Sequence, residues 1–503
     1  MTQHGNIEDI IDRLDSMSKR IITLENSVSE LQNENLKLSK GVSSLKKVNN
    51  ELTQENDNLK LKNTELKQEN SKLQARLNTN SNNSSKPPSS DGYQKKPAFP
   101  KKKSSQQGGQ KGHQGRTLHQ VEHPDKIIEC HPDSCSCGHQ FEKKEFVLTQ
   151  KQQVFDLPQP TLEVTEYQIM KATCPVCGVT HRGMAPKGVN APVQYGNGVR
   201  TYVTLLNVHF KLPFKKIQLL FGDLFGYSIN ESTVNSAGLI SYKNLESSEE
   251  IIKSEVAKGK TTHADETGVR VEGKLAWLHT ATSMFYTYLF VHKKRGQEAL
   301  KSDKSILNNV TGWLVHDCWG SYFNFDLKHA LCGAHILREL QGLIENHQSK
   351  WANTFKVFLL SVYQMPFEER VKQRNKIESR YLRICQIGET LEPPAQKTKG
   401  KKGRYKRTKG RNLVERLIRE QNALLAFAFN SEVPFTNNLA ERDIRPVKVK
   451  LKISNSFRTF HGAEVYARIE SFISTARKHN RNVFSELRNT FEGHNFLTDS
   501  IGR

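Results

Sequence analysis

The chain has 503 residues, 75 Lys and Arg against 52 Asp and Glu, and a formal net charge of +23 at pH 7. This length allows several domains, and the excess of cations favours a polyanion such as nucleic acid, because each Lys or Arg that meets a phosphate releases condensed counterions. Apolar runs stay well below the roughly 18 residues of a membrane span, and the polar N-terminus lacks a signal-peptide core, so a cytoplasmic protein without a membrane partner is expected.

Leucine recurs at every seventh position in the N-terminal region. The series is Leu24, Leu31, Leu38, Leu45, Leu52, Leu59, Leu66 and Leu73. With these leucines at heptad position d, Asn falls repeatedly at position a, where it favours a two-stranded parallel coil. A lone straight helix would not hold this period, since it drifts about 20° per heptad. We therefore predict a parallel coiled coil over residues 6–77 that makes the protein a homodimer.

Residues 78–122 are rich in Ser, Asn, Pro, Gly and Lys and contain almost nothing to bury, which predicts a flexible basic linker. No apolar strand precedes its GGQKGHQG stretch, so a phosphate-binding loop is not indicated. We expect the linker to contact a nucleic-acid backbone without sequence preference. The candidate residues are Lys101, Lys102, Lys103 and Lys111.

Five of the eight cysteines lie between positions 130 and 177. Two close pairs, each followed by glycine, are typical of a zinc site. The predicted Zn²⁺ ligands are Cys135, Cys137, Cys174 and Cys177. The first pair has tighter spacing than usual, which leaves alternatives open for one of its members. These alternatives are Cys130, His131 and His139. Alternating residues between the pairs predict a small β module, and we assign residues 123–185 to it.

Residues 190–258 have the apolar periodicity of helices, with a turn at Gly226 and a second helix that we expect to begin with Ser232 as N-cap. A helix-turn-helix DNA-binding domain and an ordinary packed helix pair both fit this pattern.

The region from 259 to 345 has the element order of an RNase H-like α/β core. Three strands (THADETGVRVEG, KLAWLHTATS and FYTYLFVHK) precede a helix in GQEALKSDKSILNNV, a strand in GWLVHDCWGSYF and a strand–helix unit in HALCGAHILREL. In that order Asp265 lies on the first strand and Asp317 at the end of the fourth, which neighbours it in the sheet. The two carboxylates are therefore expected to converge.

Converging carboxylates repel unless cations lie between them, and the hard cation that prefers oxygen ligands and phosphate substrates is Mg²⁺, with Mn²⁺ as a substitute. Glu441, at the start of a helix in residues 430–490, is the third acid that we expect at this edge, in the second part of the core. Four cations surround it in the sequence and are candidate phosphate contacts: Arg442, Arg445, Lys448 and Lys450.

Each acid has a competitor. Glu266 adjoins Asp265, but neighbouring strand residues point to opposite faces, and we choose Asp265. The weaker rivals are Asp326, Glu339, Glu464 and Glu470. Cys332 and His335 have the spacing of half a metal site, with no second half evident, and we interpret them as packing residues near the catalytic edge.

Residues 346–429 form a predicted helical insertion between the two parts of the core. It contains a basic run, residues 397–411, with nine Lys or Arg and no acid. We expect a loop that contacts a DNA backbone, and a solvated tip is the alternative. The candidate contacts are Lys401, Lys402, Arg404, Lys406 and Arg407.

Several of these stretches together are similar to a known family. HADETGVRV, LVHDCWGSYF with CGAHILREL, and FTNNLAERDIRPVKVKLKISNSF resemble the catalytic blocks of the insertion-sequence-66 family of bacterial transposases, which are DDE enzymes. The coil, the linker, the paired cysteines and the insertion before the last acid extend the likeness over nearly the whole chain.

The resemblance implies Mg²⁺-dependent DNA cleavage and strand transfer at the ends of an insertion sequence, with Asp265, Asp317 and Glu441 as the triad. The implied partners are the terminal inverted repeats, target DNA and small accessory proteins of the same element, which would place the protein at the nucleoid. The alternative is a catalytically inactive DNA-binding or assembly protein derived from a transposase.

Overall fold

The computed structural model describes residues 5–84, 118–132, 134–395 and 407–499. These residues form a mixed α+β protein with two units, Met1–Asn80 and Ser81–Arg503. The first unit is helix α1, a single helix of 73 residues over Gly5–Leu77. The heptad leucines lie exposed along it, Leu45 at 70 %. The predicted extent of the helix is confirmed, and its pairing with a second chain stays a prediction.

The cysteine-containing segment has little regular structure. A 3₁₀ turn spans Lys143–Glu145, and strands β1 (Lys171–Thr173) and β2 (Thr180–Arg182) form an antiparallel hairpin. The alternating residues 154–170 form no strand, although the sequence predicted one. Pro158 and Pro160 cannot donate to a ladder, and the apolar side chains have no face to cover them, so that Val154 is 89 % exposed.

The helical region before the sheet is confirmed. Its helices are α2 (Asn197–Thr204), α3 (Phe214–Phe225), α4 (Glu231–Asn244) and α5 (Glu246–Ala257), with a π-helical turn at Leu205–His209. Gly226 ends α3 in the left-handed conformation, φ 70°. The expected N-cap of α4 was wrong: Asn230 caps the helix and its side chain accepts from Ser232 N. Helix α4 packs against α2, α14 (Phe460–Lys478) and α15 (Val483–Glu492).

A five-stranded mixed sheet lies at the centre of the second unit. Its strands are β3 (Thr261–Val271), β4 (Lys274–Thr282), β5 (Thr287–His292), β6 (Trp313–His316) and β7 (Lys328–Leu331). The order is β5-β4-β3-β6-β7; the first three strands are antiparallel neighbours, whereas β6 and β7 run parallel to β3. These five strands are where the sequence predicts them.

The prediction of one helix over GQEALKSDKSILNNV is largely wrong. Only α6 (Gln297–Leu300) and a 3₁₀ turn at Leu307–Asn309 form there. Ser302 Oγ donates to the Ala299 carbonyl at 2.7 Å, a local bond through which serine competes with helix continuation. A further 3₁₀ turn, Tyr322–Asn324, lies between β6 and β7.

Five helices follow α7 and form the predicted insertion. Helix α7 spans Gly333–His347, and the five that follow it are α8 (Lys350–Gln364), α9 (Phe367–Lys372), α10 (Arg374–Leu391), α11 (Lys409–Arg419) and α12 (Gln421–Phe429). Trp351, Phe355 and Tyr381 are buried in one hydrophobic cluster that also contains Val315 of β6. The insertion therefore shares its core with the β6–β7 edge of the sheet.

The chain returns to the sheet through α13 (Asn438–Ser454), followed by α14, α15 and α16 (Phe496–Asp499). A second cluster joins Ile444 of α13 and Phe472 of α14 to Leu278 of β4 and to Ile252 of α5. Helix α13 contacts β3 and β4 directly. This contact brings the first turn of α13, with Glu441, beside the strand that carries Asp265.

Candidate active site

Asp265 and Asp317 occupy matching places on two neighbouring parallel strands. His263 of β3 is opposite Val315 of β6, so Asp265 lies two residues beyond that pair, as does Asp317 just after β6 ends. Asp317 Oδ1 accepts a hydrogen bond from Trp319 N at 2.8 Å, which fixes its side chain in the turn that leaves the strand. The structure thus brings these two predicted residues to the same place in the sheet.

The charges of three neighbouring acids act on Asp265. The pKa of Asp265 is raised to about 7, and burial is the largest cause. The charges of three further carboxylates raise it as well: Glu266, Asp317 and Glu441. Like charges so close disfavour ionisation unless a cation compensates them. The third predicted acid, 124 positions from Asp317 in the sequence, is therefore close enough to interact with Asp265.

The raised pKa predicts how stability changes with pH when divalent ions are absent. Asp265 moves from its ordinary pKa of 3.8 to about 7 on folding, so the folded chain binds more protons in that window and stability falls as pH rises through it. We expect the melting temperature in EDTA to fall between about pH 4 and pH 7 more steeply for the native protein than for Asp265→Asn. Parallel curves for the two proteins would contradict this account.

Glu266 is the neighbour of Asp265 but has its own partners. Arg295 Nη2 donates to Glu266 Oε1 at 2.6 Å, and the Tyr322 hydroxyl donates to Oε2 at 2.6 Å. Arg295 in turn lies over the rings of Trp277 and Trp319. Burial and the charge of Asp317 still raise the pKa of Glu266, against these partners. Its carboxylate is compensated by protein groups, which supports the choice of Asp265 as the open acid.

Asn437 connects Glu441 to the strand that carries Asp265. Its Nδ2 donates to the Ala264 carbonyl at 2.7 Å, and its Oδ1 lies 2.9 Å from His263 Nδ1. Its carbonyl accepts from Glu441 N at 3.2 Å. Sequence reasoning missed Asn437, whose only signal was its place just before a helix that carries a predicted site residue.

Arg338 and Arg445 lie near Glu441, and Lys448 lies near Asp265. Arg338 and Arg445 each lie 3.9 Å from a Glu441 oxygen, too far for a hydrogen bond. Lys448 is near enough to Asp265 for that charge to act on its pKa, which burial lowers overall. Three predicted phosphate contacts are exposed: Arg442, Arg445 and Lys448. Arg338, on α7, was missed because it is distant in sequence.

Lys450 does not join this exposed group, contrary to the prediction. Burial lowers its pKa to about 8, with the charge of Lys211 acting in the same direction. Its ammonium lies over the rings of Phe457 and Tyr466. Lys450 therefore faces the packed side of α13, whereas Arg445 and Lys448 face outwards.

The rival acids have other surroundings. Glu470 forms a buried ion pair with Lys211 at 2.9 Å, and Glu339 pairs with Arg416 at 2.6 Å. Glu464 pairs with Lys304. Asp326 is exposed on the connection between β6 and β7. The preference for Glu441 over these four acids agrees with their placement.

Cys332 and His335, which have the sequence spacing of half a metal site, lie next to a third potential ligand, Glu441. The sequence did not reveal this third residue. Their ligand atoms and a Glu441 oxygen all lie within 4.8 Å of one another, and this is the one such group of three or more potential ligands among the described residues. Burial, the largest single cause, lowers the pKa of His335, but its contact with Cys332 and the charge of Glu441 together raise that pKa above its usual value. The sequence did not show that these residues lie close together, because 105 residues separate His335 from Glu441. They meet because α7 and α13 begin side by side.

The predicted zinc ligands are brought together only in pairs. Hydrogen bonds to Cys137 lower the pKa of Cys135, and backbone and side-chain bonds within the turn 174–177 lower that of Cys174. The two pairs do not assemble into one group of close ligand atoms within the described part of the chain. His139 lies 3.3 Å from Glu145, and His131 3.1 Å from Glu129. The Zn²⁺ assignment stays a prediction.

Most of the predicted backbone-contacting Lys and Arg residues of the linker and the basic run lie outside the described residues. These are Lys101, Lys102, Lys103, Lys111, Lys401, Lys402, Arg404 and Lys406. Arg407 is described, and its guanidinium lies 3.2 Å from Glu415, which partly neutralises it. None of the described helices combines the length and apolar character that a bilayer crossing requires.

The candidate site is an acidic cluster where two parallel strands adjoin. A helix with exposed cations borders it. The comparison with protein families agrees with it. The model of the Transposase IS66 family matches residues 192–465, more than half of the chain. The chain belongs to this family of transposases and so to enzymes that act on DNA. A second model, a family of unknown function (DUF6444), matches residues 11–119. No curated protein matches the chain.

Proposed function

We propose that the protein is a DDE-type transposase that cleaves DNA at the ends of an insertion sequence and joins the cleaved strands to target DNA. The observation that carries the proposal is the electrostatic cluster of Asp265, Asp317 and Glu441. The strand order, with three antiparallel strands followed by two parallel ones, supports an RNase H-like catalytic core for residues 259–345 and 430–490.

The donor set fits Mg²⁺ or Mn²⁺. Glu441 Oε1 is buried without a hydrogen-bond partner, and Asp265 lacks a basic side chain in hydrogen-bonding contact among the described residues. Hard carboxylate oxygens short of positive charge suit such cations. Asp265, Asp317 and Glu441 would hold the ion or ions. A divalent ion bound there supplies Lewis-acid stabilisation of charge on phosphate oxygens.

The protein's own groups position the DNA. Arg442, Arg445 and Lys448 lie exposed on α13 beside the acids, where they can bind the phosphates that flank the scissile bond. Asn437 fixes the first turn of α13 to β3 and so holds Glu441 toward Asp265. The linker lysines and the basic run of the insertion extend the backbone contacts.

The remaining parts have supporting roles in the proposal. Cys135, Cys137, Cys174 and Cys177 bind Zn²⁺ in a module at residues 123–185, with Cys130 as the alternative in the first pair. The helical residues 190–258 contribute to DNA binding; the packing of α4 on three helices favours a packed helix pair over a helix-turn-helix. Terminal repeats, target DNA and accessory proteins of the element are the partners.

Deleting residues 5–77 is expected to convert a dimer into a monomer. The heptad leucines of α1 are exposed along the single chain, and a parallel two-stranded coil would cover them. Multi-angle light scattering of the full-length and truncated proteins measures the mass directly. A truncated protein that remains a dimer would place the dimer interface elsewhere.

Cleavage of terminal-repeat DNA tests the proposed function. Purified protein is incubated with Mg²⁺ and a duplex that carries the element end and its flank, and the products are mapped to single nucleotides. We expect metal-dependent nicks at the element boundary, absent with EDTA and absent on a duplex of equal length with a scrambled repeat. Specific binding without any nick would instead support an inactive DNA-binding or assembly protein.

A further inference from the structure

We infer that Cys332, His335 and Glu441 form a second metal site, which takes a thiophilic divalent ion of the zinc class. The Cys332 sulfur, a His335 ring nitrogen and a Glu441 carboxylate oxygen lie within 4.8 Å of one another. A tetrahedral zinc ion with usual bond lengths separates its ligand atoms by about 3.3–3.7 Å.

The backbone around this group is firmly held. Cys332 N donates to the His316 carbonyl at 3.0 Å, and Gly333 N donates to the Phe435 carbonyl at 2.8 Å. A Cβ on Gly333 would lie 2.2 Å from the Phe435 ring, so the two segments approach as closely as glycine permits. The starts of α7 and α13 are thereby fixed side by side, which makes the three ligands a preformed set.

Two of the three ligands have buried atoms without partners. His335 Nδ1 and Glu441 Oε1 are both buried and accept or donate no hydrogen bond. Cys332 is fully buried, and its sulfur accepts a hydrogen bond from Asn437 N at 3.2 Å, which holds the sulfur in place at the start of α7. Unsatisfied buried polar atoms are costly, and a bound cation satisfies both at once.

The ligand types set this site apart from the acidic cluster. One thiolate, one imidazole and one carboxylate select Zn²⁺ or Co²⁺ over Mg²⁺, because soft sulfur ligands bind poorly to hard cations. Three protein ligands leave a fourth position open, as in zinc sites that bind water or substrate. The site therefore differs in metal preference from Asp265 and Asp317.

Glu441 belongs to both groups, and this has a regulatory consequence that rests on the proposed function. A zinc-class ion on Cys332 and His335 draws Glu441 toward α7 and away from Asp265. Zn²⁺ then inhibits Mg²⁺-dependent cleavage. Metal binding itself does not depend on the proposed function, so the two are tested separately.

Cobalt spectroscopy tests the binding. Full-length protein is titrated with Co²⁺, and the thiolate-to-cobalt charge-transfer band is recorded for the native protein, Cys332→Ser and His335→Gln. The difference between native and variant spectra cancels any contribution from Cys135, Cys137, Cys174 and Cys177. The matched control is Cys385→Ser, since Cys385 is an equally buried free thiol on α10, outside the ligand group. Melting curves in EDTA show that each variant is folded.

We expect a thiolate band that Cys332→Ser removes and Cys385→Ser retains, with Co²⁺ affinity about 10–100-fold weaker or more in His335→Gln. Identical spectra for native protein and Cys332→Ser would overturn the site. In the cleavage assay, the ratio of rates with and without Zn²⁺ should fall well below one for native protein and Cys385→Ser, and stay near one for Cys332→Ser. Absence of cleavage in every sample rejects the proposed function, whereas the cobalt spectra still decide the metal site.

Discussion

Asp265→Asn is expected to lower DNA cleavage by at least about a thousandfold while leaving DNA binding nearly intact. Ligands of one metal centre act as a unit, so the loss of one removes most of the activity. Backbone affinity comes from Lys and Arg instead. Asparagine keeps the shape of the side chain and removes the charge that burial and three neighbouring acids oppose. Cleavage rates and gel-shift titrations on the same duplex measure the two effects.

Asp326→Asn is the matched control for this experiment. Asp326 is an exposed acid between β6 and β7, outside the charge cluster of Asp265, and its replacement should change cleavage little. Glu266→Gln should act more mildly than Asp265→Asn, because Glu266 is compensated by Arg295 and Tyr322. An Asp265→Asn protein that retains a tenth or more of the native rate would overturn its assigned role.

Glu470→Ala is expected to destabilise the fold by about 3–5 kcal/mol, the usual result of leaving a buried charge without its partner. Glu470 and Lys211 form a pair at 2.9 Å with both side chains only 5 % exposed. Lys450 and Arg477 also act on Glu470, so its removal leaves three cations together. Lys211→Met should cost less, because Glu470 then keeps the two other cations. Urea unfolding of both variants measures the difference.

Glu464→Gln provides the comparison on the same helix. Glu464 pairs with Lys304 at a half-buried position of α14, and its loss should cost under about 1 kcal/mol. Equal losses of unfolding free energy for Glu464→Gln and Glu470→Ala would contradict the expected difference between the half-buried and the buried ion pair. A larger loss for Lys211→Met than for Glu470→Ala would contradict the expectation that Glu470 keeps two other cations.

The sequence predicted the sheet well because its strands have strong local signals. Alternation and β-branched residues mark β3, β4 and β5, and apolar runs mark β6 and β7. Known strand order then brings Asp265 and Asp317 together without any structure. The heptad leucines likewise fix the extent of α1, since its period persists for eight repeats.

Other features depend on contacts that a local pattern does not contain. Residues 154–170 alternate like a strand, but prolines and the lack of a covering face prevent one. Asn230 and Ser232 are both residue types that cap helices, and they lie two positions apart. Asn230, the first of the two, is the N-cap of α4. The relation of Cys332 and His335 to Glu441 exists only because α7 and α13 start side by side.

Asp265, Asp317 and Glu441 are proposed to form one catalytic centre. Single and triple alanine variants of these acids test this in the Mn²⁺-dependent nicking of terminal-repeat DNA. We predict that each single variant loses nearly all activity and that the triple variant loses no more, since the three act together. Losses that multiply from one variant to the next, or a single variant that cleaves at a tenth or more of the native rate, would contradict a shared centre.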